Sequence, residues 1–171
     1  AGVICVAAAG NESDDTAGFC PAKIRSCITV SSVDKSGALS DFSNFGESVD
    51  VAAPGEDIWS STLDGKYEPA SGTSMATPFV ASAVAMLLTN NPSMTVSETE
   101  QALKKICADQ GVKGNDRSYG AGIPDFGIFF GQNDKATDIS IKEKSITVSE
   151  FGIRHTGRKN HNTAEHGQND R

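Results

Sequence analysis

The sequence predicts an α/β fold built on a mainly parallel sheet, and three observations carry that prediction. Short, continuous apolar runs rich in β-branched residues occur at 3–9, 27–33 and 49–53. A long helical pattern follows at 74–88, and a second helix opens at Thr95. Strands interleaved with helices bury their apolar faces best as helices laid on a parallel sheet.

Each element has a local cause. Val3 to Ala9 is unbroken by polar residues, so it reads as a strand buried on both faces, with Cys5 a buried thiol, and Gly10-Asn11 ends it. Asn11 to Gly18 is a polar loop. Cys27 to Val33 is the second strand. Val49 to Ala53 is the third, stopped by Pro54-Gly55. Asp64-Gly65 marks a turn. From Ser74 to Leu88 apolar residues recur at helical spacing (Val80, Ala83, Val84, Leu87, Leu88), and small residues between them allow close packing on a sheet. Pro78 is expected in the first-turn region, where a missing N–H costs little. Asn90-Asn91-Pro92 stops this helix. Thr95 and Glu98 form a capping box for the next, which is expected to run to about Ala108 with Leu103 and Ile106 inward.

Composition bounds the function. The 171 residues carry a formal charge of −7, and no apolar run approaches a membrane span. The acidic balance argues against nucleic acid or an anionic membrane as partner. Charge is unevenly placed: residues 131–171 net +1 and residues 1–130 net −8. Apolar residues thin out after Phe130, so a domain boundary is placed between 130 and 131. Two short strands are expected within 138–148, and a disordered polar end from His155. No pair of the four cysteines (Cys5, Cys20, Cys27, Cys107) has C-x-x-C spacing, and Cys20 and Cys27 are near enough in sequence to pair without being required to.

Two residues are candidates for chemistry. Ser74 opens a helix after a glycine turn, where the helix dipole favours a developing oxyanion; the competing role is a helix N-cap. Asn11 follows an apolar strand and a glycine, where its side-chain N–H is placed to donate to an oxyanion; the competing roles are a turn residue and, in Asn11-Glu12-Ser13, a glycosylation acceptor.

Around these two residues the sequence resembles the subtilisin-like serine proteases. The resemblance rests on Ala7-Ala8-Ala9-Gly10-Asn11, on Pro21-Ala22 with Ile28-Thr29-Val30, and on Phe42-Ser43-Asn44-Phe45-Gly46. It continues through Ala53-Pro54-Gly55, Gly72-Thr73-Ser74-Met75-Ala76-Thr77-Pro78 and Tyr119-Gly120-Ala121-Gly122-Ile123, covering roughly residues 1–128. It implies a three-layer α/β fold with a mainly parallel sheet, present as the C-terminal half of a catalytic domain. It implies a secreted serine endopeptidase acting on polypeptides, with Ser74 as nucleophile. The Asn11 side chain and the Ser74 N–H would form the oxyanion hole, and Ala8, Ala9 and Gly10 one wall of the specificity pocket. Glu12 is expected at the pocket rim, where it would favour a basic residue before the cleaved bond. The resemblance implies no organic cofactor. In some relatives a cation lies between the loop matching Pro21-Ala22 and an aspartate matching Asp50, and no metal is assigned here on that single carboxylate.

The departures are as informative. The family usually has His at the position of Phe79 and Gly at that of Ser82. Phe79 is expected to pack, and Ser82 to enter a tight helix–sheet contact with its hydroxyl on a backbone carbonyl. The family order is Asp, His, Ser, yet the histidines here are His155, His161 and His166, all after Ser74. The expected partner is therefore a missing N-terminal half carrying both, and the 171 residues alone are expected to be inactive. A non-catalytic, peptide-gripping remnant is the alternative. An α/β-hydrolase is disfavoured because Ala76 stands where Gly-x-Ser-x-Gly needs its second glycine.

Overall fold

The computed structural model describes residues 2–133. The expected strands within 138–148, the disordered end and all three histidines lie outside the described residues. Strands β1 (Cys5–Ala8), β2 (Cys27–Val33) and β3 (Val49–Pro54) form a parallel sheet in sequence order. A hairpin of β4 (Ile58–Ser61) and β5 (Tyr67–Ala70) follows, closed around Asp64-Gly65. Helices α1 (Thr73–Asn90) and α2 (Val96–Lys105) come next. Then a short antiparallel pair joins β6 (Cys107–Ala108) to β7 (Ile123–Pro124), and α3 (Phe126–Asn133) runs across the boundary placed at 130/131.

Helix α1 lies on the sheet and carries the core. Ala76, Val80, Ala83, Val84 and Leu87 are its buried residues, and they meet Ile28, Val30, Val51 and Ala53 of the strands. Truncating a residue such as Leu87 to Ala would cost about 2–5 kcal/mol. Leu103 and Ile106 of the α2 segment are buried as the spacing predicts, and both halves of the Thr95–Glu98 capping box are formed.

Several expectations need correction. Strand β1 starts at Cys5 because its ladder with β2 starts there; Val3 is exposed. The strand is not buried on both faces, and Cys5 is an exposed thiol. Helix α2 stops at Lys105, short of Ala108, because Cys107-Ala108 pairs with Ile123-Pro124. Helix α1 begins at Thr73, so Pro78 lies beyond the first turn and removes the N–H that would bond the Ser74 carbonyl. Phe79 packs only in part: it is 42% exposed, at the edge of an apolar hollow shared with Ala53, Pro54, Ile123, Pro124 and Phe126. Ser82 is exposed as well, outside the tight contact expected, although its hydroxyl does donate to the Pro78 carbonyl at 2.8 Å.

The free edge of β3 is covered by the Tyr119–Gly122 turn. Ala121 N–H donates to Asp50 O at 2.8 Å, and Ala52 N–H donates to Gly122 O at 3.0 Å. Gly120 has φ +57, and a Cβ there would lie 2.2 Å from the Asp50 carbonyl carbon. Only glycine allows this approach.

Candidate active site

The end of β1 and the start of α1 meet through side chains that sequence spacing alone does not reveal. Gly72 is the N-cap of α1, and it makes no side-chain cap bond. Ser74 therefore sits second in the helix, exposed, and is not the cap. The first-turn N–H groups are mostly taken. Thr73 N–H donates to Asn11 Oδ1 at 2.9 Å, and Met75 and Ala76 N–H both reach Gly72 O. Among the described residues the Ser74 N–H has no partner. It is the open donor at the positive end of the helix dipole.

Asn11 is held by its acceptor end. Its Oδ1 takes the Thr73 N–H and the Thr73 hydroxyl, each at 2.9 Å. Both bonds need an acceptor, so the amide orientation is fixed with Nδ2 outward. Among the described residues Nδ2 donates to nothing. The sequon in Asn11-Glu12-Ser13 falls on this anchored side chain. The Thr73 hydroxyl also accepts from Gly10 N–H at 3.1 Å, tying the chain before Asn11 to the helix start.

Ala8, Ala9 and Gly10, expected as a pocket wall, differ in exposure. Ala8 and Gly10 are half-buried, and Ala9 is fully buried with its N–H on Val30 O at 2.9 Å. Gly10 is required by its surroundings: φ is +110, and a Cβ would meet Asn44 Nδ2 at 2.2 Å. Buried Asn44 organises this loop. Its Oδ1 accepts from Glu12 and Asp14 N–H, while its Nδ2 donates to Ala9 O and to the Glu12 carboxylate. That carboxylate also takes Asn11 N–H at 2.8 Å. Glu12 thus turns back onto its own loop and does not stand free at a pocket rim. Thr73 and Asn44 carry no role in the sequence analysis; their positions inside two motif strings were the available signal.

Asp50 is engaged by donors. Its carboxylate accepts Thr29 N–H and the Lys104 ammonium, each at 2.9 Å, while Ala22 O accepts the Thr29 hydroxyl. The Asp50 carboxylate thus already faces an ammonium. Among the described residues no three His, Cys, Asp or Glu side chains gather to hold a metal. Likewise no described helix is long and apolar enough to cross a membrane.

Ser74 thus stands at a helix start, with its own N–H and the Asn11 Nδ2 both open among the described residues. The chain belongs to the subtilase family: residues 1–122 match the model of the "Subtilase family" peptidases. It is 46% identical over 99 residues to alkaline serine exoprotease A of Vibrio alginolyticus, covering 58% of this chain and 18% of that one. It is 40% identical over 126 residues to subtilisin amylosacchariticus of Bacillus subtilis subsp. amylosacchariticus, covering 71% of this chain and 32% of the relative. Among solved structures, a protease of Pseudoalteromonas arctica aligns with a TM-score of 0.69 at 31% identity, over 77% of this chain and 43% of that one. The described residues thus show a mixed α/β, subtilisin-like fold covering part of the domain. The chain spans less than half of each of these proteins.

Proposed function

We propose that this chain contributes the nucleophile and oxyanion hole of a secreted serine endopeptidase. Ser74 Oγ attacks the carbonyl of a peptide bond in a polypeptide substrate. The oxyanion that forms rests on the Ser74 N–H and on Asn11 Nδ2, with Ala8, Ala9 and Gly10 beside the residue before the cleaved bond. A histidine outside these 171 residues takes the serine proton and returns it to the leaving amine, and an aspartate orients that histidine. Loss of the histidine alone costs about 10⁶ in kcat, a magnitude that comes from subtilisin itself, so the 171 residues by themselves are inactive. The names of the relatives support the coarse activity, and relatives called extracellular, such as the minor extracellular protease Epr of Bacillus subtilis, support secretion.

The single observation that carries the proposal is the anchoring of Asn11 Oδ1 by Thr73 while Asn11 Nδ2 and Ser74 N–H stay open. The test is hydrolysis of a denatured protein by the naturally produced protein and two variants. Ser74→Ala should abolish cleavage, and Asn11→Leu should lower kcat by about 10²–10³, again a subtilisin magnitude. Peptide binding with no cleavage by the unaltered protein would favour the remnant reading instead.

A further inference from the structure

Cys5 and Cys27 are the first residues of β1 and β2, and they are direct partners in the parallel ladder. Partners in a parallel ladder point to the same face of the sheet, on strands about 4.8 Å apart. That separation lies inside the roughly 4.4–6.8 Å that a disulfide needs between its Cα atoms. Cys5 is exposed and Cys27 half-buried. Both stand at strand starts.

We propose that Cys5 and Cys27 form a disulfide between β1 and β2, made by exchange with a low-molecular-weight disulfide of the glutathione type. Exposed Cys5 attacks first, as the thiolate. The S–S bond of the small disulfide breaks, and one small thiolate leaves and takes up a proton equal to the one Cys5 lost. Cys27 then attacks the Cys5 sulfur of the mixed disulfide and expels the second small thiol in the same way. Two protein thiols are oxidised, and one small disulfide becomes two thiols. The order follows from the surroundings: burial, then the neighbouring Cys5 and Asp50, push the Cys27 thiol above its ordinary range, which suits the second attacker. Cys107 stays outside this chemistry. Burial pushes its thiol up to about 12 against the opposing pull of Lys104, and its S–H donates to Leu103 O at 3.3 Å. The bond closes a loop that contains Asn11 and staples the strand that leads to it.

The test incubates the naturally produced protein with mixtures of oxidised and reduced glutathione, quenches with iodoacetamide and maps the peptides by mass. Without denaturant the Cys5–Cys27 cross-linked peptide should dominate. In denaturant the nearer Cys20–Cys27 pair should dominate, because it closes the shorter loop. Cys27→Ser should leave Cys5 as a stable glutathione adduct. A double variant, Cys20→Ser with Cys107→Ser, isolates the pair: its oxidation equilibrium should favour the disulfide at least about tenfold more without denaturant than with it. Cys20–Cys27 as the main native product, or equal equilibria in the double variant, would overturn the proposal.

Discussion

Asn11 Oδ1 accepts two hydrogen bonds from one residue, Thr73, whose backbone N–H and hydroxyl each lie 2.9 Å away. This contact joins the end of a strand to the start of a helix 62 positions later in the chain. It occupies the acceptor of the Asn11 amide and leaves the Nδ2 donor open for the proposed oxyanion.

Thr73→Val keeps the shape of the side chain and removes the hydroxyl. Gly10 N–H then loses its acceptor and Asn11 one donor. The expected loss is about 1–3 kcal/mol of unfolding free energy, measured by urea titration. Thr73→Ser should recover most of it. Equal stability of the Val and Ser variants would show that the hydroxyl does not hold the loop.

Lys104 bridges Asp50 and Glu100 at 2.9 and 2.7 Å. Burial pulls its pKa down, but the hydrogen bonds to Glu100 and Asp50 outweigh this and raise it above the ordinary lysine range. A raised folded-state pKa contributes stability that is fully present below the unfolded value, about 10.4, and is lost as pH rises through the folded value. Lys104→Met should therefore cost about 1–2 kcal/mol at neutral pH, allowing for the partial exposure of the pair. The gap to the unaltered chain should shrink above about pH 10.4. A gap that stays constant to higher pH would remove the ion pair as its cause.

Gly120 approaches the backbone of β3 too closely for any side chain. Gly120→Ala should destabilise by at least about 3 kcal/mol, since both the positive φ and the backbone contact work against it. Thermal unfolding of the two chains would show it. A near-neutral result would mean that the turn does not seat on Asp50 as described.

Much of the fold was legible because its signals are local. Cys27 to Val33 is bounded as read, and the Thr95–Glu98 box forms as written. The errors came where distant pairing outvoted local pattern. Cys107-Ala108 continues the helical spacing, yet β7, fifteen residues later, takes its backbone. Cys5 reads as buried from its apolar neighbours, but its exposure depends on which elements cover β1. Of the candidate site, Ser74, Asn11 and the Ala8–Gly10 wall stood in recognisable strings. Their support did not: nothing local in the sequence says that Thr73 holds Asn11, that Asn44 holds Glu12, or that Lys104 faces Asp50.

The most direct measurement is the rate at which a fluorophosphonate probe labels Ser74, located by peptide mapping in two preparations. In the naturally produced protein the account predicts rapid, stoichiometric labelling of Ser74. In the 171-residue chain by itself it predicts labelling no faster than in the Ser74→Ala variant. Labelling of a different residue in the natural protein, or rapid labelling of Ser74 in the chain alone, would contradict it.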